Sequence, residues 1–228
     1  MDKILLKPTQ SDAQYQGPFQ HLAFGPLANP VPLYQNLLKH LGKYGASLKD
    51  LKFDSTVLSD ANISCSLLGL STVIRVRLDW LEVTFLKLHE VGEKVAGQIL
   101  LDSWAAVHET DPSMAVIEHV VSINAYTEIR DAPYDAVIQR YVTIPPALGE
   151  KTLAGVAFYL PEEPAKGERR GSVVLDRLTG QERGLVLKVN VVFDAKQVPF
   201  STLTQRIDEY VTRHLDHLAL ALDRENIR

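Results

Sequence analysis

Cysteine is nearly missing: Cys65 is the only one in 228 residues, which excludes an internal disulfide framework. Secreted chains of this size usually carry bridges, so a reducing, cytoplasmic compartment is the expectation. Cys65 lies in an apolar run with Ile63, Leu67 and Leu68, where a thiol packs as a small hydrophobe. A charge excess of either sign is also lacking, with 24 Lys and Arg against 28 Asp and Glu. Surfaces for nucleic acid or anionic membrane need clustered positive charge, so neither partner is expected. The one basic cluster, Lys166, Arg169 and Arg170, is interleaved with Glu162, Glu163 and Glu168, the pattern of a solvated loop. No apolar run approaches the ~20 residues of a membrane-spanning helix. The opening Ile4-Leu5-Leu6 is cut off by Lys7-Pro8, too short for a signal peptide.

Signatures of catalysis are lacking as well. No G-x-G-x-x-G, G-x-S-x-G or H-E-x-x-H occurs. Residues 92–97 have the glycine spacing of a phosphate-binding loop, but Gln98 stands where that loop needs lysine. No cofactor is expected, and the leaning is against an enzyme.

What is present is a normal hydrophobic content, 46%, with a clear change of period along the chain. Residues 8–32 contain Pro8, Pro18, Pro26, Pro30 and Pro32 with Gly17 and Gly25, which oppose regular structure at short intervals. The expectation is an irregular, Pro-rich arm. Its apolar residues either drape over the domain or, as a partner arm, dock through Phe19 and Phe24. Leu33, Leu37, Leu38 and Leu41 then follow at helical spacing, and Gly45 marks the stop. Strict alternation reads as strand at residues 51–57, 62–70 and 72–88, with a bulge or tight bend near Asp79-Trp80 where the phase flips. Residues 90–109 read as helix, 115–129 as strand and 133–142 as a short helix. Residues 152–160, 171–178 and 184–194 read as strands.

Leu203, Ile207, Tyr210, Val211, His214, Leu215, Leu218 and Leu222 form one stripe, predicting a helix over residues 201–223 about 35 Å long. The predicted fold is α+β, with mainly antiparallel sheet backed by helices and a long amphipathic helix at the end. Residues 50–110 and 152–224 share the order strand, strand, strand, helix. Two helix-backed halves, or one sheet with its helices on a single face, both fit within one compact domain over residues 1–228.

Seven histidines are the residues best suited to chemistry. His214 and His217, three apart on the last helix, are near enough for a metal pair, but an inward imidazole with a boundary neighbour explains them without one. His108 and Glu109 close the helix before Asp111, where its dipole favours a histidine. His119 shares the parity of Ile117, Val121 and Ile123, so it points inward and becomes an acid/base candidate only beside a cleft. The polar faces of the strands supply the candidate binding residues Arg75, Arg77, Glu118 and Asn124. No metal is expected. The preferred reading is a non-enzymatic protein-interaction module that pairs with a protein partner or self-associates. The alternative is an enzyme or small-ligand-binding protein with a site assembled from scattered His, Glu and Arg residues.

Overall fold

Successive side chains of a strand leave on opposite faces, so a run that alternates apolar and polar residues has one face to bury and one to wet. Among the described residues, the computed structural model has ten strands. They are β1 (Ile4–Pro18), β2 (Leu51–Asp54), β3 (Asn62–Leu67), β4 (Thr72–Arg77), β5 (Trp80–Phe85), β6 (Glu118–Ile129), β7 (Val156–Leu160), β8 (Glu168–Arg177), β9 (Gly184–Asp194) and β10 (Leu220–Leu222). The structure describes residues 3–54, 57, 60–145, 147 and 154–223. The helices are α1 (Phe24–Ala28), α2 (Val31–Leu41), α3 (Leu88–Val91), α4 (Glu93–Thr110), α5 (Tyr134–Ile138) and α6 (Phe200–His217). The fold is α+β, a large antiparallel sheet backed by helices.

Strand order across the sheet is β2-β3-β4-β5-β1-β6-β9-β8-β7. Two antiparallel meanders flank a central pair, β1 with β6. Each meander is followed in the chain by an 18-residue helix, α4 or α6. The short β10 lies off this path and pairs parallel with the first residues of β1, Ile4 opposite Leu220. Residues 50–110 and 152–224 read alike in the sequence, and their strands β2–β5 and β7–β9 form opposite wings of one sheet.

Residues 8–18 correct the expectation of an irregular arm. They continue β1, the strand at the centre of the sheet. Pro8 is tolerated because the register with β6 shifts between Pro8 and Gln10, a bulge at which the missing N–H costs no regular ladder bond. Thr9 at that bulge donates its hydroxyl to the Tyr126 carbonyl at 2.9 Å. Pro18 is the last residue of the strand. The rest of the supposed arm is α1 and the start of α2, where Pro32 sits in the first turn. Leu33, Leu37 and Leu41 of α2 are wholly buried, and Gly45 ends the segment at φ +89°, a conformation that favours glycine.

The final helix is shorter than its stripe suggests. It stops at His217, about 27 Å from its start. Ala219, at φ +51°, turns the chain into β10, so Leu220 and Leu222 pack as strand residues. The phase flip near Asp79 is a hairpin turn between β4 and β5. Ile74 and Val76 on β4 and Val189, Val191 and Phe193 on β9 are buried, and β9, interior to the sheet, also buries Val186 and Val192 of the opposite parity. No helix among the described residues is long and apolar enough to cross a membrane.

Candidate functional site

Because α4 and α6 cover one face of the sheet, the other parity of the central strands is left open. Registers set its side chains in rows. Thr84, Gln14, Ser122, Asn190 and Ser172 stand side by side across five strands, and Tyr159 continues the row onto β7. Ser122 donates to Asn190 Oδ1 at 2.8 Å, and Asn190 donates to Ser172 at 3.1 Å. One strand-residue pair along, Asn124 donates to Asp12 at 2.7 Å. On the other side of that row Arg75 pairs with the buried Glu82 at 2.5 Å. Asp12, Gln14, Arg75, Glu82, Thr84, Ser122 and Asn124 border a polar cavity of about 340 Å³.

Of the four candidates named from the sequence, Arg75 and Asn124 share this cavity. The other two do not join it. Arg77 lies over the Trp80 ring at 4.5 Å and faces Asp60 at 3.6 Å. Glu118 sits six residues from Asn124, about 20 Å along β6, where Arg169 and Arg170 approach it at 3.4 Å. Ser122 shares the polar strand face of Asn124; Asp12 and Gln14 are not among the sequence candidates, although Asp12, Gln14 and Gln16 alternate with Ala13, Tyr15 and Gly17. That weak alternation, hidden by small core residues, was the available signal for β1. Phe19 is buried and bridges Val116, whereas Phe24 on α1 is 52% exposed.

His119 does point inward and is fully buried. Its Nδ1 accepts from the Tyr15 hydroxyl at 2.9 Å and its Nε2 donates to the Val198 carbonyl at 2.8 Å, which assigns the proton to Nε2. Phe200 meets the ring edge-on at 4.7 Å. Burial lowers the imidazole pKa to about 4, and the Val198 carbonyl and Asp194 only partly oppose this. Burial also raises the Tyr15 hydroxyl well above its ordinary value. The pair is a neutral clamp that ties β1 and β6 to the entry of α6.

His214 belongs to a third cluster. Glu163, Glu168 and His214 each offer one ligand atom, all within 4.8 Å of one another. The cation in their midst is a guanidinium. Arg213 Nη2 stands 2.5 Å from Glu168, 3.7 Å from Glu163 and 3.3 Å from His214 Nε2. Burial and the neighbouring Arg213 charge lower the His214 pKa, so the imidazole accepts from that guanidinium as a neutral ring. The hydrogen bond to Glu168 in turn raises the Arg213 pKa. The chemistry of the cluster is an ion pair locking α6 onto β8.

No family model matches this chain, and no curated protein matches it. Among solved structures, one similar chain is an unknown protein from Galdieria sulphuraria, 10% identical over 89% of this chain and 94% of that one. Its TM-score is 0.17, a likeness that carries no argument about fold or role.

Proposed function

We propose that the protein is a non-catalytic interaction module, working in a reducing, cytoplasmic compartment, that self-associates by pairing β7 with the β7 of a second copy. One observation carries this reading, the character of the sheet's outer strand. Among the described residues β7 pairs with β8 alone, at the end of the strand order. Natural proteins protect such edges with charge, proline or a bulge, because unpaired N–H and C=O groups recruit another strand. The opposite edge, β2, carries Lys52 and Asp54. Val156–Leu160 carries no charge at all, and Tyr159 is 84% exposed.

The strand is also suited to itself. An antiparallel pair centred on Phe158 sets Ala157 opposite the second Tyr159, a small side chain against a large one, and Val156 opposite Leu160. Val156, Phe158 and Leu160 point to the helix side and are only half buried, so a second copy would complete their burial. Such a contact is isologous and closes as a dimer. Main-chain bonds supply affinity, as they do wherever a strand is added to a sheet.

Sedimentation equilibrium of the full chain tests this. The wild type is expected to dimerise reversibly, and the double variant Ala157→Lys/Tyr159→Lys to be monomeric, since lysines then face lysines across the pair. A wild type that stays monomeric at every concentration, or a double variant that still dimerises, overturns the reading. A second reading, a small polar ligand held on the open face, draws support from the cavity around Arg75, Glu82, Asp12 and Asn124. A thermal-shift screen of small polar compounds tests it, with Arg75→Ala expected to remove any hit.

A further inference from the structure

Small side chains meet where the two long helices cross the middle of the sheet. Ala13 lies on β1, and Ala96 and Gly97 lie on the inner side of α4. A Cβ added to Gly97 would stand 2.8 Å from Thr204 Oγ1 and 3.0 Å from its Cγ2, so α4 and α6 touch at this point. Trp104 of α4 also stacks on Phe200 of α6 at 4.7 Å, and between the helices and the sheet lies a cavity of about 150 Å³. Its inner wall is apolar, formed by Tyr15, Phe85, Leu100, Val121, Ile207 and Val211. Its outer rim carries Glu93, Thr204 and Asp208, all exposed. No lysine or arginine is among the described residues that line it.

We propose that this cavity is a binding site for a small amphipathic cation, an aliphatic chain or single ring seated against the inner wall with an amine at the rim beside Glu93 and Asp208. An apolar recess of this volume has room for a guest the size of benzene. Ligand sites in general combine a mainly apolar lining with a few polar groups that fix orientation. Here those groups are carboxylates, which attract an ammonium and repel a carboxylate in the same position. The site is on the helix side of the sheet and is independent of strand pairing at β7.

Three probes of matched length separate body from head: n-hexylammonium, 1-hexanol and hexanoate, titrated into the full chain at neutral pH and followed by methyl NMR. Saturable shifts of the Ala96, Ile207 and Val211 methyls are expected, with hexylammonium binding roughly fivefold to tenfold tighter than hexanoate. Glu93→Gln/Asp208→Asn is expected to erase that preference and leave the affinity for hexanol unchanged. Ala96→Phe, which fills the groove, is expected to abolish binding of all three. The proposal is overturned if no probe shifts those methyls, if the wild type shows no preference for the ammonium, or if a folded Ala96→Phe protein binds as the wild type does. Should Ala96→Phe fail to fold, the methyl shifts and the charge variant still decide the outcome.

Discussion

At the scale of single residues, His119 shows how burial sets a pH dependence. Its native pKa of about 4 lies below the ~6.5 of an unfolded imidazole, so between those values the unfolded chain holds more protons. The stability owed to the neutral clamp is therefore full above pH ~6.5 and is lost as pH falls towards 4, by at most about 3 kcal/mol. Urea unfolding at several pH values is expected to show a shallower acid loss for His119→Gln than for the wild type. Equal slopes would mean that the ring contributes nothing. Gly17 makes room for the same clamp, because a Cβ there would collide with the Tyr15 hydroxyl and reach 3.0 Å from Val116 Cγ1. Gly17→Ala is expected to lower the stability measured in a thermal melt by about 1–3 kcal/mol. Cys65 is buried, and desolvation, with a smaller effect of Asp50, pushes its thiol up to about 11. A thiol reagent such as DTNB is expected to modify it only after denaturation; rapid labelling of the native protein would contradict its burial.

At the scale of elements, the period of the sequence decided most assignments. The alternation of Ile63, Cys65 and Leu67, and of Leu185, Leu187, Val189, Val191 and Phe193, has no helical counterpart, and those strands were legible. The inward direction of His119 followed from the same parity. The centre of the sheet was not legible. In β1 the core-facing positions Ala13 and Gly17 are too small to signal burial, and Pro8 conceals a bulge that only its pairing with β6 explains. The end of α6 was hidden too. Leu218 and Leu222 continue the helical spacing by coincidence, while Leu220 takes its place beside Ile4. The turn between helix and strand costs strain at Ala219, since the left-handed region disfavours any residue with a Cβ. Ala219→Gly is expected to raise the free energy of unfolding by about 1 kcal/mol; a loss of stability would show that the Ala219 side chain packs more usefully than its backbone is strained. The cavity between α4 and α6 escaped the sequence entirely, because Ala13 and Gly97, which both line it, are distant in the chain.

At the scale of the whole molecule, the two meanders extend outward from β1 and β6 and leave the sheet with two unlike ends. β2 carries charge, and β7 does not. Pairing between strands so distant in sequence as β1 and β6 leaves no local mark, so the order of the sheet, and with it the identity of the edges, comes from the structure alone. For the same reason the sequence does not tell that Arg75 and Asn124 border one cavity while Arg77 and Glu118 stand apart from it. Self-association through β7 is the central claim, and its most direct measurement is amide hydrogen exchange across Val156–Leu160 at high and low protein concentration. The β7 amides that point away from β8 are expected to be protected in the concentrated protein and to lose that protection on dilution. Exchange of those amides that is equally fast at both concentrations would contradict it.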